Sequence, residues 1–380
     1  MKTNRFLFLA ITLIMTIPLI TTGQQIDKKT NFKINNRTRH KIEKIVKNVK
    51  IPMFQAAFFN GNQTQLFEFV NEGYKAPAPK HQTVFQAASL SKPVFAYIVM
   101  KMAGNGQIDL DKPIVEYLGS YRFIPEQMDW AKILTARIIL AHKSGLPNWA
   151  VSPSSEQWPN SSLTFKFKPD STFGYSGEGY TLLQKAIEKI RGESLQNIAI
   201  KEVFIPLNMT SSSYEWGRED IPSLNYDRIA AEGYDEKGQN KGQGRHPRAS
   251  SAYTLRTTAT DYSLFLEALI AGVGLKPQYH KEFFNPQVMA KRYSDRNRDC
   301  DNSIFWGLGI GIEKNKKLGN IYFHWGDNGD FKALFIIIPK QNTHLIYLTN
   351  SSLGHTMIDQ ITPLFFGNTE PLALSSWIND

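Results

Sequence analysis

The 380-residue sequence predicts an α+β fold, with an antiparallel sheet formed by the N- and C-terminal segments, flanking helices and an inserted, mostly helical lobe. Two observations carry this. Short aromatic or β-branched segments bounded by turn residues occur near residues 52–70 and again at 305–349, whereas the stretch between them repeats apolar residues at helical spacing. The late segments follow one another through Gly, Asn and Pro. They therefore read as an antiparallel meander closed by both chain ends, not as alternating parallel strands and helices. A hydrophobic share of 42% supplies a sizeable core and excludes a disordered chain. One two-lobed domain over residues 24–380 is expected, with the sheet lobe at about 38–100 and 300–380 and the helical lobe at about 101–299.

Lys2 and Arg5 precede an apolar run from Phe6 to Ile20 and the small residues Thr21, Thr22 and Gly23. This layout predicts a secretory signal over residues 1–23, with an uncleaved anchor as the alternative and a periplasmic or secreted destination. No cysteine near the cut supports a lipid anchor. An oxidising compartment permits disulfides, yet Cys300 is the sole cysteine, so no internal disulfide and no multi-thiolate zinc site can form. No H-E-x-x-H is present, and no metal or cofactor is expected. Loss of the leader would lower the net charge from +10 to +8. This basic surface is read as solvated, with affinity for anionic envelope polymers as the alternative. No nucleic-acid motif accompanies it, and no stretch after the leader is apolar enough to span a bilayer.

Along the mature chain, Ile42, Ile45, Val46 and Val49 predict an amphipathic helix over 38–50. Strands follow at Pro52 to Phe59 and Gln65 to Val70, joined by a turn at Asn60-Gly61-Asn62. Val94, Phe95, Ile98, Val99 and Met102 mark a buried helix with Pro93 in its first turn and Gly104 and Gly106 at its end. A further helix carries Leu182, Leu183, Ala186, Ile187 and Ile190 up to Gly192, and another runs from Ser194 to before Pro206. The polar stretch from about Gly217 to Ser250 reads as loops bordering a cleft. Strands are expected at Phe305 to Ile312, Asn320 to Trp325, Lys332 to Ile338 and Leu345 to Thr349.

The chemistry centres on Ser89 and Lys92. Side chains three apart on a helix share a face, so the Lys92 amine can reach the Ser89 hydroxyl and, once deprotonated, take its proton. Unpaired N–H groups at a helix N-terminus favour the negative charge that acyl transfer develops there. Two further segments follow in order: Tyr175 within Phe173-Gly-Tyr-Ser-Gly-Glu-Gly-Tyr180, and His324-Trp-Gly326 at the end of a strand.

Ser89-x-x-Lys92, then Tyr175, then His324-x-Gly326 resembles the serine β-lactamase and penicillin-binding-protein superfamily on its class C side, which includes class C β-lactamases, DD-peptidases and related esterases. Gln107 to Leu118, Leu140 to Leu146, Pro206 to Met209 and Ala252 to Asp261 extend the resemblance over nearly the whole mature chain. It implies a β-lactamase/transpeptidase-like fold and an exported serine hydrolase that acts through an acyl-enzyme. By the same resemblance Ser89 is the nucleophile, Lys92 the base and Tyr175 the proton shuttle, with the resting proton on either Lys92 or Tyr175. The oxyanion hole is implied to be the backbone N–H of Ser89 and Asp327, with His324 and Gly326 on the substrate-binding strand. The partner is a small molecule or short peptide, cell-wall material included.

Departures from the family pattern narrow this. Gly177 stands where the second motif usually carries an Asn that holds the substrate amide, and His324 replaces the more frequent lysine. An ester or small peptide is therefore favoured, with a β-lactam or a D-Ala-D-Ala peptide as the alternative and a catalytically silent binding protein as an alternative of another class. Glu178 is a candidate replacement for the missing amide. Gly174-Tyr-Ser176-Gly-Glu178 also approximates a nucleophile elbow with Ser176 as nucleophile, but its last glycine is one residue late and the flanking strand–helix alternation is wrong.

Overall fold

Among the described residues (34–119, 121–246, 248–291 and 299–379 of this computed structural model), eight strands form one antiparallel sheet. The expected signal segment, 1–23, lies outside the described residues. The strands are β1 (Met53–Phe59), β2 (Thr64–Val70), β3 (Val288–Met289), β4 (Ile304–Trp306), β5 (Gly311–Asn315), β6 (Gly319–Asp327), β7 (Lys332–Ile338) and β8 (Thr343–Thr349). Their order is β2-β1-β8-β7-β6-β5-β4-β3. The N-terminal hairpin thus adds directly to the C-terminal meander, with Phe54 opposite Thr349 and Ala57 opposite Ile346.

Alternation along each strand splits the core in two. Ala333, Phe335 and Ile337 of β7 pack with helices α2 (Ser91–Gly104) and α4 (Ala259–Ala271), whereas Leu334, Ile336 and Ile338 face α1 (Asn36–Asn48), α5 (Ile358–Phe366) and α6 (Ala373–Asn379). Both faces of β7 and β8 are covered, which explains why these strands read as nearly unbroken apolar runs. In α2 every residue except Lys101 is buried. A helix apolar on all sides belongs inside a fold, and this one holds the candidate nucleophile against the sheet.

Most element boundaries fall within a few residues of expectation. α1 starts two residues early because the Asn35 side chain accepts the Thr38 N–H at 2.9 Å. Helix α3 (Gly177–Arg191) ends at Gly192, whose φ of +63° suits a residue without Cβ. The expected single strand from Phe305 to Ile312 is corrected: it divides into β4 and β5 around Gly307 and Gly309. Gly309 has φ +95°, and a Cβ there would come within 2.3 Å of the Ala96 Cβ on α2. The polar stretch 217–250 is not wholly irregular, since it carries a short helix at Tyr226–Ile229 and a ladder between Gly233–Tyr234 and Asn240–Gly242.

Candidate active site

Ser89 lies in a single 3-10 turn, Ala88–Leu90, immediately ahead of α2. Ala88 adopts φ +49°, a left-handed conformation that costs a residue with a Cβ about 1 kcal/mol or more. The surroundings enforce it. Ala87 N–H donates to the Leu255 carbonyl at 2.8 Å, Ser91 Oγ donates to the Ala88 carbonyl at 2.6 Å and accepts the Leu255 N–H at 2.9 Å, and the Tyr262 hydroxyl donates to the Leu90 carbonyl at 3.0 Å. The strained turn presents Ser89, which is half-buried while its neighbours are fully buried.

Lys92 Nζ stands 3.2 Å from Ser89 Oγ and donates to the Ala252 carbonyl at 2.7 Å. Its side chain is buried, and no carboxylate among the described residues pairs with it. Burial alone drives its pKa well below the ordinary lysine value. A neutral amine that spends one hydrogen on Ala252 still has a lone pair for the serine proton. The Tyr175 ring lies 4.7 Å from Lys92 Nζ and packs against His142 at 4.1 Å and Trp325 at 5.0 Å between ring centres.

His324 projects from β6 into the same cluster, its ring centre 6.2 Å from that of Tyr175. Its Nδ1 is 2.7 Å from the Trp325 carbonyl, which assigns the ring hydrogen to Nδ1 and leaves a lone pair on the buried Nε2. Burial, reinforced by Lys92 and opposed by the Trp325 carbonyl, lowers its pKa to about 3. His324 is therefore neutral in ordinary buffers. Gly326 has a packing role that the sequence does not reveal: a Cβ there would stand 2.3 Å from the Ala87 carbonyl oxygen, so β6 touches the nucleophile turn itself. Gly326→Ala should push the two apart and reduce kcat/KM at least tenfold, measurable by steady-state kinetics on the folded variant. Asp327, at the exposed end of β6, pairs with Lys332 and lines the cavity that holds Ser89 and Lys92.

That cavity measures about 250 Å³ and is also walled by Gln86, Asn148, Trp149, His246, Tyr253 and Asn328. Burial holds His246 at a pKa of about 4, so it too is uncharged at neutral pH. Two carboxylates stand on the lining: Asp327, paired with Lys332, and Asp330, whose pKa burial raises above the ordinary carboxylate value. A cavity of similar size between Phe59, Ile270 and His344 does not include Ser89 or Lys92 in its lining.

One sequence candidate is set aside here and one rejected alternative stays rejected. Glu178 does not fill the place of the missing amide: its side chain is fully buried and faces away into an ion pair with Arg122 at 2.9 Å, while accepting from Ala150 N–H at 3.0 Å and Trp158 Nε1 at 2.9 Å. Ser176 is no nucleophile. Its Oγ caps α3 by accepting the Gly179 N–H at 2.9 Å and donates to the Pro147 carbonyl at 2.9 Å, both inside the protein. Sequence reasoning gave no role to the loop after Leu140. There His142 Nδ1 accepts the Ser176 N–H at 3.1 Å, and Asn148 Oδ1 accepts the Gly177 N–H at 2.9 Å, so this loop fixes the Tyr175 segment.

Comparison with known proteins fits this architecture. The chain is 24% identical over 299 residues to "Penicillin-binding protein 4*" of Bacillus subtilis, covering 71% of this chain and 61% of that relative, so it spans about three fifths of the relative's length. The fold matches the octameric penicillin-binding protein homologue from Pyrococcus abyssi at a TM-score of 0.69 and 20% identity, over 87% of this chain and 77% of that one. A D-stereospecific amidohydrolase from Streptomyces sp. also superposes at 0.69, with 17% identity over 87% of this chain and 98% of that one. A family model described as Beta-lactamase matches residues 38–361, from α1 through the Ser89 turn and the meander into α5, and the chain accordingly belongs to the Beta-lactamase family.

Proposed function

We propose that this protein is a serine hydrolase, one catalytic domain over residues 24–380, that acts through an acyl-enzyme on uncharged ester or small amide substrates, esters foremost. The observation that carries the proposal is the buried, carboxylate-free Lys92 amine 3.2 Å from Ser89 Oγ at the floor of an open cavity. Lys92 takes the Ser89 proton as Oγ attacks the carbonyl carbon. The oxyanion is received by the backbone N–H groups of Ser89 and Asp327. Tyr175 passes the proton on to the leaving group, which departs as the acyl-enzyme forms. Water then attacks the acyl carbon, giving its proton to Lys92 directly or through Tyr175, and the acid product departs as Ser89 Oγ takes that proton back.

Charge selects the substrate class. A carboxylated substrate, whether a β-lactam or a peptide ending in a free carboxylate, would find the acidic side chains of Asp330 and of the Lys332-paired Asp327 on the cavity lining, and in His324 a buried neutral ring where the family more often has a lysine. An unpaired charge entering such a site loses hydration without gaining a partner. Turnover of a nitrophenyl ester, a chromogenic cephalosporin and a D-Ala-D-Ala peptide, measured in parallel, should rank the ester first by at least tenfold in kcat/KM. Efficient cephalosporin hydrolysis would overturn that order. The apolar leader supports export, and sequencing of the mature N-terminus should begin after Gly23.

Lys92 also fixes the pH dependence. The base must be neutral, so kcat/KM should rise with pH through the lowered lysine pKa and stay level above it. For stability the sign is separate: the unfolded chain binds a proton that the folded chain refuses, so stability increases with pH toward the ordinary lysine range. Lys92→Met should therefore raise the melting temperature at pH 7 while lowering kcat at least about a hundredfold. A variant that loses both activity and stability would argue for a structural role.

A further inference from the structure

Gly177 has no side chain, and the indole of Trp149 occupies the space where one would stand. A Cβ built at Gly177 would lie 2.5 Å from Trp149 Cζ2, 2.7 Å from Cη2 and 2.9 Å from Cε2. The indole therefore rests directly on the first turn of α3. Its backbone is tied down on both sides, because the Asn148 carbonyl accepts the N–H groups of Gly177 and Glu178 at 3.1 and 3.0 Å, and the Glu178 carboxylate accepts the Ala150 N–H at 3.0 Å. On its other side Trp149 meets Tyr253 edge to face, with ring centres 5.4 Å apart and planes at 80°.

Trp149, Pro153 and Tyr253 line the 250 Å³ cavity of Ser89 and also a second cavity of about 320 Å³ whose far walls include Tyr121, Trp158 and Pro159. The same rings thus form the wall between a reactive cavity and a second chamber, aromatic on the Tyr121 and Trp158 side and polar where Gln184, Lys185 and Arg248 line it. We propose that Trp149 is a specificity-determining partition: it confines the apolar arm of a substrate held at Ser89 to the first cavity, and so selects esters with a short arm on that side. This rests on the ester-hydrolase reading above. Backbone hydrogen bonds on both sides of Trp149 and the edge-to-face contact with Tyr253 hold the partition in place, which fits a fixed length limit better than a mobile gate.

The test compares wild type, Trp149→Ala and Trp149→Phe on two substrate series: 4-nitrophenyl esters from acetate to decanoate, and acetate esters of linear alcohols from ethanol to decanol. Each methylene that gains burial is worth about fourfold in kcat/KM. In wild type the gain should stop after a few carbons. In Trp149→Ala it should continue in one series, raising the ratio of long-chain to short-chain kcat/KM at least tenfold, with Trp149→Phe between the two. The Phe variant keeps an aromatic wall and reports even if the Ala variant fails to fold. An unchanged length profile in both series, in folded variants, overturns the proposal. Alkyl fluorophosphonates of graded length separate the two readings: if they label Ser89 without ester turnover, only the ester reading fails, and the labelling rates give the same length comparison. A Ser89 inert to every probe overturns the hydrolase reading and the partition with it.

Discussion

Ser89→Ala is expected to abolish turnover, lowering kcat by at least about a thousandfold, and to remove covalent labelling by a fluorophosphonate. The loss should be chemical and not structural. Lys92 keeps its bond to the Ala252 carbonyl, and the turn keeps the hydrogen bonds made by Ala87, Ser91 and Tyr262, none of which uses Ser89 Oγ. The variant should unfold within about 1 kcal/mol of wild type. Ser176→Ala should do the opposite: loss of the α3 cap costs about 1 kcal/mol, and most turnover remains. Substantial activity in Ser89→Ala, with a single labelled site at another serine, would remove the mechanism proposed for this protein.

Glu178→Ala should be among the most destabilising changes outside the apolar core. The side chains of Glu178 and Arg122 are 0% and 9% exposed, so removal of the carboxylate strands a buried guanidinium, for which about 3–5 kcal/mol is typical. The indole N–H of Trp158 and the N–H of Ala150 lose their acceptor as well. Denaturant unfolding should show a lowered midpoint with little change in slope. Activity should fall with it, because the Asn148–Ala150 segment that walls the Ser89 cavity is tied to α3 through this carboxylate. The double variant Glu178→Leu with Arg122→Met leaves no orphaned charge and should recover much of the stability. A loss below about 1 kcal/mol in Glu178→Ala would mean that water reaches and solvates Arg122.

What the sequence revealed depended on the range of the interaction. The strands of the meander, the capped helices and the Ser89–Lys92 spacing follow from local periodicity, and each is present at nearly its expected place. The break between β4 and β5 was missed because Gly309 owes its conformation to Ala96, more than two hundred residues away in sequence. Gly177 and Glu178 are similar cases. Their motif position identified them as departures, but only the fold reveals that an indole takes the vacated space and that the acid turns inward to Arg122. Burial alone lowers the basicity of Lys92.

The pairing of β1 with β8 has a kinetic consequence. Phe54 and Thr349 are neighbours in the sheet, so the N-terminal hairpin cannot find its partner until synthesis has passed Thr349. Until then β1 exposes an apolar edge, and the long loop that must close makes this step slow relative to local helix formation. A nascent chain that has not reached β8 cannot complete its sheet. It thus spends its earliest moments in a state that chaperones, or a translocation channel that accepts extended polypeptide, can engage.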